Sequence, residues 1–353
     1  MVTFEKLVIN DKSSLLKAIK SISNEVDAQD KTIANQKKWD WQYEDLPTKK
    51  SHIYLAKENN SVIGYYHIPT YDMLIQNKKV TIGNIQSVAI FKNYRGKNLF
   101  QKLAKFANQD INHHVDLIYT FPNHKSIHTF IKYNDFCRVA MLPLQLRPIS
   151  VKAFFVKKLN SNFLGSILGS LFEIYSNLRK KSLDQFDLIK EETEFNTEIE
   201  TLFLKFGSRH DIGLKRDISF LKWRFKNLIE EKYKIVGLRS NSELTAVAVV
   251  KFEYIFSERC LIIMDLAYNH KSNAKKLLSN IDSLFGDEDI SFIVKLGTSF
   301  DKNIEKKAGF IKVPSKINPR KLYLLARWTD KKASNNFFKS AKWNVTFSDW
   351  DVF

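Results

Sequence analysis

Gln86-Ser-Val-Ala-Ile-Phe-Lys-Asn-Tyr-Arg-Gly-Lys-Asn-Leu-Phe-Gln-Lys-Leu103 decides how this chain is read. An apolar strand runs into a basic turn holding Gly96, and a helix follows at once. A turn at a helix N-terminus presents backbone N–H groups that have no partner inside the helix, and the helix dipole adds partial positive charge. Gly96 has no Cβ, so the backbone can approach a ligand closely. Between Met73 and Gln109 there is no acidic residue, whereas Lys78, Lys79, Lys92, Arg95, Lys97, Lys102 and Lys105 are all cations. The segment suits a phosphorylated ligand. The competing reading is an ordinary strand-turn-helix with a solvated basic face.

Downstream, Leu117-Ile-Tyr-Thr-Phe-Pro-Asn123 reads as a second strand. A helix carrying Ser126, Phe130 and Tyr133 follows, then Asn134-Asp-Phe136 and another strand. This order resembles the GNAT acyltransferase family, which moves an acyl group from acyl-coenzyme A to an amine. The family's phosphate cradle, Gln/Arg-x-x-Gly-x-Gly/Ala, falls on Asn93, Tyr94, Arg95, Gly96, Lys97 and Asn98, with Leu99 opening the helix. Asn93 replaces the usual Gln or Arg, Asn98 replaces the second small residue, and Asp135 stands where a Gly-Phe pair is usual. The resemblance further implies that backbone groups of Val88, Ala89 and Ile90 hold the pantetheine and carbonyl. Asn123, Ser126 and Phe130 would flank the pantetheine arm. Acetyl-CoA is the default donor.

Composition sets outer limits. A chain of 353 residues is long for one core and comfortable for two. Apolar residues at 44% and charged residues at 27% describe a globular protein, not a disordered one. Met1 to Asn10 alternates as a strand would, which argues against a leader, and no apolar run approaches the roughly 20 residues needed to span a bilayer. Cys137 and Cys260 are far apart, and the adjacent His113 and His114 diverge on a helix, so neither a disulfide nor a metal site is expected. A reducing cytoplasm fits best. The net charge of +18 calls for an anionic partner: a phosphorylated cofactor, a membrane surface or a nucleic acid. No helix clusters the Arg and polar residues that read bases, so nucleic acid is not the expected one.

The chain also repeats itself. Trp41-Gln-Tyr43 precedes Ile53, and Trp223-Arg-Phe225 precedes Ile235, with the same 182-residue offset and the same Asn-Ser turn further on. Ser87-Val-Ala-Ile90 corresponds to Asp265-Leu-Ala-Tyr268, and Lys132 to Phe136 corresponds to Lys306 to Phe310. Two copies of one fold are the natural explanation. The second copy lacks a glycine in the turn after its central strand, so the cofactor is expected on the first. The fold class is therefore α+β: two tandem GNAT-like domains, each a mixed, mostly antiparallel sheet flanked by helices. They are placed at residues 1–147 and 183–330, and an aromatic tail at 331–353 is expected to dock on the second.

Residues 148–182 form a basic helical connector. Phe163, Ile167, Leu171, Ile174 and Leu178 recur at helical spacing, with Gly165, Ser166, Gly169 and Ser170 interleaved. One reading is a helix packed across the two copies. The other is an interfacial helix, with Lys157, Lys158, Arg179, Lys180 and Lys181 drawn to anionic lipid, which would make the protein membrane-peripheral.

Acyl transfer needs an acid for the departing thiolate and a deprotonated acceptor. The family's tyrosine position falls on Phe130 or Ile131, neither of which donates a proton. Tyr133 nearby is the candidate acid, against a packing role on the sheet or protonation by solvent. Asp265 lies beside the apolar run Leu261 to Met264 and is either a functional carboxylate or the partner of a Lys or Arg. Trp39, Asp40, Tyr43 and Gln86 are the candidate acceptor contacts, while Trp41, which recurs as Trp223, suits packing. The tandem layout and Trp-x-Tyr segment are similar to GNAT proteins of bacterial surface-polysaccharide pathways, which implies an amino sugar on a nucleotide or lipid carrier. Two alternatives stand beside this: aminoacyl transfer from aminoacyl-tRNA, and a non-catalytic coenzyme-binding scaffold.

Overall fold

The structure is a computed structural model and describes residues 1–7, 37, 40–124, 126–185, 187–227, 232–255, 257–286, 288–298, 302–316, 318, 321–330 and 333–350. In chain order the first strands are β1 (Val2–Lys6), β2 (Ser51–Glu58), β3 (Ser61–Ile75) and β4 (Lys78–Ile90). Helix α1 (Leu99–Ile111), β5 (Leu117–Thr120), α2 (Ile127–Tyr133), β6 (Cys137–Met141) and β7 (Leu144–Pro148) follow. A helical hairpin, α3 (Lys152–Leu159) and α4 (Asn162–Asn177), leads to β8 (Asp187–Glu192), α5 (Thr197–Gly207), β9 (Ile212–Leu214) and α6 (Ile218–Phe225). Then come β10 (Tyr233–Ser240), β11 (Glu243–Ile255), β12 (Glu258–Tyr268), α7 (Lys271–Asn280), β13 (Phe292–Leu296), α8 (Lys302–Lys307) and β14 (Ile311–Lys312). The chain closes with β15 (Tyr323–Trp328), α9 (Asn336–Ser340) and β16 (Trp343–Asn344).

Two compact units result, residues 1–141 with 320–341 and residues 142–319 with 342–353. In the first, the strand order is β1-β2-β3-β4-β5-β15-β6. All neighbours along it are antiparallel except β4 and β5, which run parallel from Ile82/Leu117 to Ile85/Thr120. Two-residue turns set the hairpin registers. Asn59 and Asn60 (φ 49° and 62°) join β2 to β3, and Gln76 and Asn77 (φ 50° and 63°) join β3 to β4. Paired positive φ angles are the backbone state whose twist matches the strands, and Asn adopts it more readily than most side chains. Helix α1 buries Leu99, Leu103, Ala104, Ala107 and Ile111, a single face at helical spacing. That face meets Tyr54, Tyr66, Ile68 and Ile118 of the sheet in one core cluster.

The second unit has the order β8-β10-β11-β12-β13-β7-β14, again with one parallel pair, β12 and β13. Its first hairpin turns at Asn241 and Ser242, both at positive φ. β9 pairs in parallel with β16 of the tail, where Trp343, Val345 and Phe347 are buried. The two sheets thus share one topology: a central antiparallel meander, one parallel step, and a strand inserted between the last two. The inserted strands are exchanged. β15, from late in the chain, lies between β5 and β6, while β7, from early in the chain, lies between β13 and β14. Each sheet is completed by a strand from the other half of the sequence.

Candidate functional site

The central strand β4 creates the site by leaving its neighbour. Its ladder with β5 stops at Ile85/Thr120, and the Thr120 hydroxyl donates to the Ile85 carbonyl at 3.0 Å to close it. β4 nevertheless continues to Ile90. Among the described residues Gln86 to Ile90 has β3 on one edge and no paired strand on the other. A bulge accentuates the bend: His67 pairs with Gln86 and Tyr65 with Ala89, which places Ser87 and Val88 opposite one residue. Ser87 sits at φ 39°, a conformation that costs a non-glycine residue on the order of 1–3 kcal/mol. Val88, Ala89 and Ile90 therefore lie on the unpaired edge of β4 beyond the point where β4 and β5 open, and the chain leaves β5 there through Phe121 to Asn123.

At the end of β4 a 3₁₀ turn, Lys92–Tyr94, delivers the chain to Arg95 in an extended conformation and Gly96 at φ 78°. A Cβ on Gly96 would meet nothing within 4 Å, so conformation and not crowding selects glycine here, and the space above it is open. Asn98 is left-handed at φ 58° and makes no side-chain cap, so α1 begins uncapped. Among the described residues no backbone or side-chain acceptor receives an amide from Gly96 to Gln101. Six donors at a helix N-terminus, with Lys97 exposed beside them, are a set that could receive an anion. Arg95 turns back, and its Nε donates to the Ile90 carbonyl at 3.0 Å. Tyr94 is committed elsewhere: its hydroxyl donates to Glu58 Oε2 at 2.6 Å, and that bond raises the phenol's pKa. A cavity of about 560 Å³ adjoins the turn, lined by Asn93, Tyr94, Lys97, Leu99 and Lys102, with Glu58 among its walls.

On the far side of the opening, Asn123 Oδ1 accepts from the amide and the hydroxyl of Ser126 at 3.2 and 3.3 Å, which fixes the start of α2. Phe130 lies in the core, edge-on to Phe100 and to Phe136 at centroid distances of 5.7 and 5.5 Å. It offers no surface to a ligand. Tyr133 is half exposed at the end of α2, with Lys132 Nζ 5.2 Å from its ring centre, and it does not pack on the sheet.

Of the acceptor candidates, Gln86 is buried and held by a neighbour that was not among them. A single π-helical turn, Asp40–Glu44, brings Gln42 against β4, and Gln42 Nε2 donates to Gln86 Oε1 at 2.9 Å in a buried pair. Gln42 was missed in the sequence, although it is the middle residue of the Trp-x-Tyr segment. Trp41 and Trp223 are both buried at 4% exposure and serve the cores of their units. Asp40 is half buried; Trp39 and the Tyr43 side chain lie outside the described residues.

Asp265 is in the other unit and is inaccessible at 1% exposure. Its Oδ2 accepts from Arg216 Nε at 2.6 Å and from the Ser348 hydroxyl at 2.7 Å, and its Oδ1 from the Leu266 amide at 2.9 Å. Of its two sequence readings, partnership with an arginine is the one observed.

A further cluster forms around Asp110, where Lys6 Nζ and the Tyr54 hydroxyl each donate to Oδ2 at 2.7 Å. Burial opposes ionisation of this carboxyl, but those two hydrogen bonds win and hold it at about 2. His114 Nε2 lies 3.4 Å from Oδ1 and His52 Nδ1 3.8 Å from Oδ2. Burial, reinforced by Lys6, pushes His52 down to about 4. The donor atoms of these three residues fall within 4.8 Å of one another, but the Lys6 ammonium already balances the carboxylate a cation would use.

This geometry is that of a GNAT N-acyltransferase fold. Residues 15–130 of the 353 match the family model of the acetyltransferase (GNAT) domain. A probable N-acyltransferase from Enterococcus faecalis V583 superposes with a TM-score of 0.65 at 12% identity, covering 93% of this chain and 73% of that one. A GCN5-related N-acetyltransferase from Anabaena variabilis gives 0.64 at 10% identity, covering 94% and 73%. N-myristoyltransferase of Saccharomyces cerevisiae, solved with myristoyl-CoA, gives 0.59 at 12% identity, covering 96% and 88%. At such identities the likeness is one of fold. No curated protein matches the sequence.

Proposed function

We propose that the protein acylates a small amine from acyl-CoA, with acetyl as the donor group and an amino sugar on a nucleotide or lipid carrier as the acceptor. The observation that carries this reading is the run of amides from Gly96 to Gln101 at the mouth of the β4–β5 opening. The donor supplies an activated thioester. The chain supplies the rest: the amides and Lys97 receive the diphosphate, and the free edge of Val88, Ala89 and Ile90 aligns the pantetheine and carbonyl. Asn123 and Ser126 hold the opposite wall, and the buried Gln42–Gln86 pair braces β4 behind the acceptor's side. Tyr133 is exposed, so it can reach a departing thiolate only from the solvent side, and water serves the same purpose.

The exposure of Tyr133 and the burial of Phe130 also favour a second reading, a coenzyme-binding protein without turnover. Thiol release from acetyl-CoA with a panel of nucleotide-linked amino sugars separates the two. Release that depends on one acceptor supports acylation. Tight acetyl-CoA binding with no release from any acceptor removes it.

A further inference from the structure

Helix α4 is apolar on a face that the fold leaves uncovered. Its glycines point inward: a Cβ on Gly165 would lie 2.4 Å from the Val156 backbone, and one on Gly169 2.6 Å from Lys152 Cα. Helices α3 and α4 therefore meet backbone to backbone, and Phe155 stacks on Phe172 at 5.2 Å with the rings 7° from parallel. At 100° per residue, Phe163, Leu164, Ile167, Leu171 and Ile174 fall on the side away from the glycines, Leu168 stands at its flank, and Leu178 just past the helix extends the same row. All seven are exposed, Phe163 at 74% and Leu178 at 79%. A surface helix of a soluble protein ordinarily turns polar residues outward, and so large a continuous apolar face marks a docking surface.

The charge around the face names its occupant. Residues 151–182 contain one acid, Glu173, and six cations. Glu173 is already used: its Oε1 accepts the amides of Val151 and Lys152 at 3.0 and 3.3 Å, capping α3. Lys152, Lys157, Lys158 and Lys181 are exposed along the hairpin. Self-association of this face would bring cations against cations. An anionic lipid surface instead takes the apolar row into its headgroup layer and the lysines against its phosphates. No helix among the described residues is long and apolar enough to cross a membrane, and α4, at 16 residues, is shorter than a bilayer core.

We propose that the α3–α4 hairpin is a docking surface for anionic bilayers, lying in the plane of the lipid headgroups. The inference stands independently of the acyl-transfer reading. Its test is flotation of the full chain with vesicles of phosphatidylcholine alone and with about a quarter phosphatidylglycerol. The expected result is retention on the anionic vesicles, at least about tenfold weaker on the neutral ones and weakened by salt. Ile167→Asn with Leu171→Asn should abolish it, and Lys157→Glu with Lys158→Glu should reduce it. These side chains are exposed, so unchanged melting curves confirm folding, and thiol release with a soluble acceptor should be unaffected. Failure of the wild type to float on either vesicle overturns the proposal, as does undiminished flotation of the apolar double variant. Size-exclusion elution as a dimer that the same variant dissociates, without flotation, assigns the face to a second copy and overturns it too.

Discussion

Arg216 Nε and Asp265 Oδ2 are 2.6 Å apart, with both side chains withdrawn from solvent. The same guanidinium reaches Asp349 Oδ2 at 2.6 Å through Nη2, so one arginine joins the central strand of its unit to the C-terminal tail. Burial opposes the charge on Arg216, but the two carboxylates outweigh it and raise its pKa. Removing one member of such a buried network leaves charge uncompensated, at a cost of about 3–5 kcal/mol. Asp265→Asn should therefore lower stability by about 3 kcal/mol, the low end because Asp349 still faces Arg216. Urea unfolding measures the loss. Thiol release per folded molecule should stay within about twofold of wild type. A thousandfold fall in release with unchanged stability would return Asp265 to the role of base.

The Gly96 turn makes a sharper demand on the donor. Acetyl-CoA should bind with a micromolar dissociation constant, on the order of −8 kcal/mol by calorimetry. Gly96→Glu places a carboxylate among amides arranged for an anion and should eliminate measurable binding. It also forces a side chain to φ 78°, at roughly 1–2 kcal/mol of stability. Gly96→Ala pays the same strain without the charge, so it should retain binding to within about tenfold. Equal loss in both variants would mean that backbone distortion, not anion recognition, explains the result.

Much of this was legible in the chain. The strand-turn-helix at 86–103 is local, and its glycine, its charge and its periodicity all point one way, so sequence and structure coincide there. The β2–β3 and β10–β11 hairpins announced themselves through an Asn-Ser pair in each copy, although in the first the turn falls one residue earlier, on Asn59 and Asn60. What failed to show was contact that local pattern does not encode. The exchange of β7 and β15 has no signature, because a strand's composition records its burial and not its hydrogen-bonding neighbour. The family resemblance puts Phe130 beside the pantetheine arm, but its side chain points inward between Phe100 and Phe136, a matter of helix phase. His52, Asp110 and His114 are separated in sequence and meet only because α1 crosses β2.

The Gln42–Gln86 pair permits a cycle that separates packing from recognition. Gln86→Leu removes the oxygen to which the buried Gln42 amide donates, which should cost about 1–3 kcal/mol. Adding Gln42→Leu removes the donor as well, and part of that stability should return. If the pair contacts the acceptor, KM for the amine should rise at least about tenfold in both the single and the double variant, with acetyl-CoA affinity unchanged. Recovery of KM together with stability in the double variant would reduce the pair to a packing element.

Acid should weaken the protein through its buried histidines. Burial pushes His67 and His210 down to about 3, in the latter against a hydrogen bond to the Phe206 carbonyl that favours the proton. Both are neutral in the folded state at pH values where an unfolded histidine, with its ordinary value near 6.5, is charged. The unfolded chain therefore binds more protons between pH 6.5 and 3. Stability is fully present above 6.5 and falls as pH drops through that window, by up to about 1.4 kcal/mol per pH unit for each histidine. Between pH 7.5 and 4.5 the loss should be about 2–3 kcal/mol per residue, read from urea midpoints at constant ionic strength. His210→Gln should remove its share of the slope whatever it does to stability at pH 7.5, because a glutamine does not titrate. Coincident midpoints at the two pH values would mean that these rings are accessible to protons in the folded state.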